Sequence, residues 1–204
     1  MFIIISGPSG SGKSPLLYNV IETYPNVKKV QSYTTRTIRK NEVKGTYIYL
    51  THSQFEQKIK EGFFLEYNKV HKDQQYYGTG LDSFKEANDN GYVTIKDIDV
   101  DSYKNIRQKH PELDIVGIYV TVKNRGILFD RLRERGESEK TINLRLFDRV
   151  DYENSQQIYY DHVIYTDNMD KAVKDINKII DFEFKKRRIK VKKNKVSKKE
   201  KYIF

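Results

Sequence analysis

The chain has 204 residues, 37% of them hydrophobic and 32% charged, with a mean hydropathy of -0.77 and no cysteine. That length suits one α/β domain, and sixteen Tyr with ten Phe are too many for a solvated coil; the missing cysteines exclude disulfides and thiolate metal sites and agree with a cytoplasmic location. The formal charge of +10 is concentrated at one end, because residues 185–201 hold eleven Lys/Arg against one acid, Glu200, leaving 27 basic and 27 acidic residues elsewhere.

Phe2-Ile3-Ile4-Ile5 is a continuous β-branched and aromatic run, the pattern of a buried parallel strand. It stops at a Ser-Gly turn and does not read as a signal peptide. No later stretch approaches the ~18 apolar residues of a membrane span. Next comes Gly7-Pro8-Ser9-Gly10-Ser11-Gly12-Lys13-Ser14, a full match to G-x-x-x-x-G-K-[ST], followed by a helical pattern with Leu16, Leu17, Val20 and Ile21 on one face. Strand, glycine-rich loop and helix in this order open a doubly wound fold.

The chemistry of such a loop follows from its residues. Glycines let successive backbone N–H groups turn inward around a polyphosphate, and the helix N-terminus adds positive potential. Gly7, Ser9, Gly10, Ser11, Gly12, Lys13 and Ser14 are therefore expected to bind ATP. The Lys13 ammonium would meet the β- and γ-phosphates, and the Ser14 hydroxyl would be a ligand for Mg²⁺. Pro15 breaks no helix hydrogen bond in the first turn, but it offers no N–H to the α-phosphate, a loss of about 1–3 kcal/mol of ATP binding.

Residues 30–80 read as a small, partly β insertion. It has alternating Tyr47-Ile48-Tyr49-Leu50, a helix over 53–61 with Phe55 and Ile59 inward, and a turn at Tyr77-Gly78-Thr79-Gly80. Arg36 and Arg39, three apart, offer two planar forks of donors to one phosphate dianion; a solvated basic loop is the other reading. The α/β pattern then resumes with a helix over 82–90, a strand over 92–98, a helix over 100–109 and a strand over 115–121. Asp97 and Asp99 stand at the C-terminal end of their strand, where ligands bind in open α/β sheets, and Asp97 is a candidate to hold Mg²⁺ through water. An arginine-rich helical hairpin is expected over 124–160, with Arg131 and Arg135 at i and i+4 on one face. A strand over 162–166 and a helix over 169–182 close the domain.

The phosphate loop, Ser32 to Gly45 as S-x-T-T-R-x-x-R-x-x-E-x-x-G, Phe64-Leu65-Glu66-Tyr67, Tyr76-Tyr77-Gly78-Thr79, Asp97-Ile98-Asp99 and Arg131-Leu132-Arg133-Glu134-Arg135-Gly136 occur in an order that resembles the guanylate kinase family over residues 2–180. The resemblance implies a P-loop three-layer α/β fold with a central parallel sheet. The core would be residues 1–30, 81–123 and 148–184, with a mixed α/β insertion binding the nucleoside monophosphate at 31–80 and a helical lid at 124–147. It implies transfer of the γ-phosphoryl of ATP to GMP with Mg²⁺. The acceptor phosphate would be held by Arg36, Arg39, Tyr47 and Tyr77, and the base read by Ser32, Glu66, Thr79 and Asp99. The Glu66 assignment makes chemical sense, since a carboxylate accepts from guanine N1–H and N2–H₂ whereas adenine offers an acceptor at N1. Lys13, Arg131, Arg135 and Arg145 would stabilise the transferring phosphoryl, whose charge spreads over equatorial oxygens.

Several departures matter. Tyr47 aligns only with one residue deleted after Gly45. Lys96 replaces an apolar residue, and pairing with an acid or pointing to a sheet edge are both open. Thr166 replaces an Asn that the family often places by adenine. The alternatives to a kinase of GMP are a phosphopeptide-binding module on the same fold, against which the intact Lys13 and Ser14 speak, and a kinase of a related phosphorylated acceptor. Residues 185–204 read as a disordered or peripherally attached basic tail, either a solubilising extension or a contact for RNA or an anionic surface.

Overall fold

A computed structural model of the protein describes residues 1–38, 45, 47–70, 74–146, 149–190 and 193–194. The core is a parallel sheet built on β1 (Phe2–Ser6), every residue of which is buried, as the unbroken apolar run requires. Beside it lie β7 (Val93–Asp97) and β8 (Ile115–Thr121), flanked by β2 (Val27–Lys29) and β9 (His162–Tyr165), giving the order β2-β7-β1-β8-β9. The edge strand β2 has no counterpart in the sequence reading, because only Val27 is buried and Lys28 and Lys29 face out. Exposed lysines on an edge strand discourage pairing with another chain.

Two apolar layers sandwich this sheet. On one face Ile3 and Ile5 pack with Leu16, Leu17 and Val20 of α1 (Lys13–Thr23) and with Ile176, Ile180 and Phe184 of α8 (Met169–Lys186). On the other, Phe2 and Ile4 meet Phe84 of α3 (Leu81–Asp89) and Val100, Tyr103 and Ile106 of α4 (Val100–Lys109). The insertion forms a second sheet in the order β4-β3-β6-β5, from β3 (Ser32–Thr34), β4 (Tyr47–Tyr49), β5 (Phe64–Val70) and β6 (Gln75–Gly80). Its small core is Tyr33, Phe55 and Tyr76, with Phe55 delivered by α2 (His52–Lys60), whose N-terminus carries a capping box between Thr51 and Gln54.

The expected hairpin over 124–160 is instead three short helices and a 3-10 turn: α5 (Gly126–Glu134), α6 (Glu139–Leu146), α7 (Val150–Ser155) and Gln156–Tyr159. Gly136 at φ 76 breaks the first from the second. Leu128, Leu132, Ile142, Leu146 and Val150 give this region its own apolar cluster. No helix among the described residues is long and apolar enough to cross a membrane.

The basic tail begins later than its composition suggests. Helix α8 runs to Lys186, and Ile189, inside the stretch read as tail, packs against the main core. Charge pairing explains the extension. Arg187 donates to both Asp114 oxygens at 2.8 Å and pairs with Glu183, which is 4% exposed and also meets His162 Nε2 at 2.7 Å. Beyond it, Lys193 bonds Asp181 at 2.5 Å and the Asn194 backbone N–H bonds Thr23 O at 2.9 Å. Residues 195–204, and with them most of the expected RNA or anionic contact, lie outside the described residues.

Arg187 is thus expected to carry measurable stability. The Arg187 guanidinium holds the Asp114 carboxyl below its ordinary range. Burial raises Glu183, but its bonds to His162 and Arg187 outweigh that and leave it lowered too. Stability from a depressed carboxylate is full above the unfolded value and lost as pH falls through the folded one. Arg187→Ala should therefore cost about 2 kcal/mol at neutral pH, and the gap from wild type should close at strongly acidic pH. Urea unfolding at pH 7 and in the acid range measures both.

Candidate active site

The phosphate loop takes its shape from three glycines with positive φ: Gly7 at 143, Gly10 at 80 and Gly12 at 87. At Gly7 the constraint is also steric, since a Cβ there would lie 1.9 Å from Val120 O on β8. Gly12 is the N-cap of α1, so the helix N-terminus opens directly onto the loop. Pro15 is buried as the third residue of α1, and the first helical bond, Leu16 N–H to Gly12 O at 3.4 Å, is unaffected by it. Lys13 Nζ reaches back over the loop and donates to Gly7 O at 2.6 Å and Pro8 O at 2.8 Å. Burial pushes this ammonium down to about 8, with Glu153 and Asp97 raising it and Arg135 lowering it. Ser14 is exposed beside it.

A cavity of about 440 Å³ opens over the loop, lined by Gly7, Ser9 and Lys13, by the strand-end acids Asp97 and Asp99, and by Arg149 and Glu153. The last two were not anticipated. They are i and i+4 across the start of α7, 3.4 Å apart, the same spacing that singled out Arg131 and Arg135. Burial holds the Glu153 carboxyl above its ordinary range, against the opposing charges of Arg149 and Lys13. Asp99 also caps α4: one oxygen accepts from the backbone of Asp101 and Ser102, the other from Asn68 at 3.0 Å and Ser102 Oγ at 2.8 Å. It therefore ties the cavity to β5.

Sheet register assembles the expected base-reading residues. Antiparallel β3 and β6 pair Tyr33 with Gly78, so one step on Ser32 faces Thr79, and β5 sets Glu66 against Thr79. The three lie in one row on one face. Thr79 Oγ1 donates to Glu66 Oε1 at 2.6 Å. Burial raises the Glu66 carboxyl, while Thr79 and Lys96 lower it and Asp99 and Asp97 raise it, which brings the row close to the strand-end acids. Lys96 does not point to a sheet edge, and among the described residues it makes no direct ion pair. Its strand β7 is interior, and the side chain is buried with Nζ donating to Val30 O at 3.1 Å and to Ser32 Oγ.

Three of the expected acceptor-phosphate residues come together at the other end of this sheet. The Arg36 guanidinium lies 5.3 Å from the Tyr47 ring centroid, and the Tyr47 and Tyr77 rings are 6.1 Å apart. Tyr47 stands beside Ser32 in the parallel β3–β4 register. Arg39 and the side chain of Arg145 lie outside the described residues. The cavity over Lys13 is not lined by Arg36.

The two arginines of α5 diverge. Arg131 is 9% exposed, and its guanidinium donates to Gly10 O at 3.0 Å, Thr166 Oγ1 at 3.0 Å and Thr166 O at 2.7 Å. It ties the loop to the end of β9 and does not line the cavity over Lys13. Arg135 is exposed and acts electrostatically on Lys13. Thr166 is fully buried and donates to Ser11 O at 2.7 Å, so it fastens the loop to the end of β9. Thr166→Val would leave the Arg131 charge and the Ser11 carbonyl short of a partner, and should lower stability by about 1–3 kcal/mol, read by thermal or urea unfolding.

Comparison with known proteins gives a consistent picture. The guanylate kinase family model matches residues 1–183. A guanylate kinase of Syntrophus aciditrophicus is 36% identical over 185 residues, spanning 89% of this chain and 86% of the relative. One from Buchnera aphidicola subsp. Baizongia pistaciae is 34% identical over 183 residues, spanning 88% and 86%. Among solved structures, the guanylate kinase from Anaplasma phagocytophilum matches with a TM-score of 0.62 over 90% of this chain and 85% of that one, at 22% identity, which is a likeness of fold.

Proposed function

The chain belongs to the guanylate kinase family, and on that basis we propose that it transfers the γ-phosphoryl of ATP to GMP, or to dGMP, yielding ADP and GDP. The observation that carries the reading is the pairing of a complete phosphate loop with a half-buried carboxylate, Glu66, in a row with Ser32 and Thr79. An acceptor-only carboxylate beside hydroxyls suits the N1–H and N2–H₂ edge of guanine and is left unpaired by adenine.

In this reading the protein acts by positioning and by charge. Donor phosphates entering the loop replace Gly7 O and Pro8 O as partners of the Lys13 ammonium. Arg36, Arg39, Tyr47 and Tyr77 hold the acceptor phosphate, which is already anionic, so no general base is needed. Arg135 and Arg145 bring positive charge to the transferring group, with Arg149 as a further cation at the cavity. The Ser14 hydroxyl and, through water, the exposed Asp97 carboxylate are the residues that would hold Mg²⁺ with ATP, where the ion would neutralise charge on the β- and γ-phosphates. One hydroxyl and one carboxylate are a fitting donor set for an ion that keeps several waters and takes its other ligands from phosphate.

The test is ADP release measured with GMP, dGMP, AMP, UMP and no acceptor. Turnover with the guanine nucleotides and little with AMP supports the reading; equal turnover with AMP removes the argument from Glu66. Lys13→Ala should lower kcat by about 10²- to 10³-fold with unfolding unchanged. Glu66→Gln should lower kcat/KM for GMP by about 10- to 100-fold, the scale of one charged hydrogen bond.

A further inference from the structure

Lys96 is the buried charge that this mechanism leaves unused. It is 4% exposed and lies beside Ile4 in the interior of the parallel sheet, where an ammonium is costly unless its donors are met. Two of them are met by Val30 O at 3.1 Å and by Ser32 Oγ. Asp97 of its own strand and Glu66 of β5 act on this ammonium as opposite charges, and Lys29 of β2 as a like charge.

An ammonium only donates. In its bond with Lys96 the Ser32 oxygen must therefore be the acceptor, and the hydroxyl proton of Ser32 has to point somewhere else. Ser32 is half-buried and makes no other side-chain hydrogen bond among the described residues. It stands at one end of the row whose other end is Glu66. The row therefore presents an outward donor at Ser32 and an acceptor at Glu66. Guanine offers the complement along one edge, with donors at N2 and N1 and an acceptor at O6. Adenine has an acceptor at N1 and a donor at its 6-amino group, so the same row opposes it at both ends.

We propose that Lys96 is a specificity-determining positioning residue: its ammonium forces the Ser32 hydroxyl to act as a donor toward the 6-oxo group of the acceptor purine. This rests on the reading of GMP as acceptor. A lone serine hydroxyl can rotate to donate or accept; one held by an ammonium can only donate outward. Selection against a 6-amino purine is then shared between Glu66 and the Lys96–Ser32 pair.

The experiment uses the full chain and two acceptors, GMP and 6-thioguanosine 5′-monophosphate. The second keeps N1–H and the 2-amino group but replaces the 6-oxygen by sulfur, a weaker acceptor. Lys96→Met, apolar and of similar length, should raise KM for GMP about tenfold with kcat within about twofold, and should change KM for the thio analogue much less, so that the preference for GMP collapses. Ser32→Ala removes the outward donor itself, leaves the Lys96 ammonium one partner short, and should give the same selective loss. If Lys96→Met alters both acceptors alike or neither, or if Ser32→Ala keeps the wild-type preference, the proposal is overturned while the kinase reading stands. Wild-type protein that does not phosphorylate GMP at all overturns the kinase reading, and this inference with it.

Discussion

The parallel pairing of β7 with β1 sets Ile4 opposite Lys96 and Ile5 opposite Asp97. Asp97 emerges at the strand end beside the phosphate loop that leaves β1, and Lys96, one residue earlier, goes to the opposite face and reaches β3. A slip of one residue would exchange them, placing an ammonium at the strand end beside the loop and a carboxylate under Ser32. The register is held by a sheet interior with Ile3, Ile4, Ile5 and Ile95 all at 0% exposure. The apolar core is thus what separates the charge beside the phosphate loop from the charge beneath Ser32.

The loop itself is held by a second constraint. Two residues that do not line the cavity fasten its backbone: Arg131 on Gly10 O, and Thr166 on Ser11 O. Both residues are buried, where hydrogen bonds are strong and an unmet partner is costly. This arrangement links α5 and the end of β9 to the loop.

Much of this was legible in sequence. The run Phe2–Ile5 and the glycine spacing at 7, 10 and 12 gave strand, loop and helix, because continuous apolar residues and positive-φ positions have few other uses. The row Ser32, Thr79 and Glu66 was legible only through resemblance, since it depends on pairing among three strands that no local pattern reveals. What escaped was long-range. Lys96 looked undecidable because its partners, Val30 O and Ser32 Oγ, are 66 and 64 residues away in the chain. Arg187 read as one more charge in a basic run, yet its partner Asp114 is 73 residues away, and the pair extends α8 and seats Ile189. Arg149 and Glu153 carried a visible i, i+4 spacing but sat in a stretch crowded with such pairs. Composition reports how many charges there are, and topology decides which are paired.

The central claim is that a donor pocket at Lys13 and an acceptor pocket at Arg36 serve one reaction in one chain. It is tested most directly by the affinity of a bisubstrate nucleotide joining adenosine and guanosine through five phosphates, measured by titration calorimetry. A ligand that fills both pockets gains from effective concentration and should bind one per chain, about 10²-fold or more tighter than ATP or GMP alone, and should lose that gain in both Lys13→Ala and Arg36→Ala. Affinity no better than that of ATP, or a gain that survives Arg36→Ala, would contradict the account.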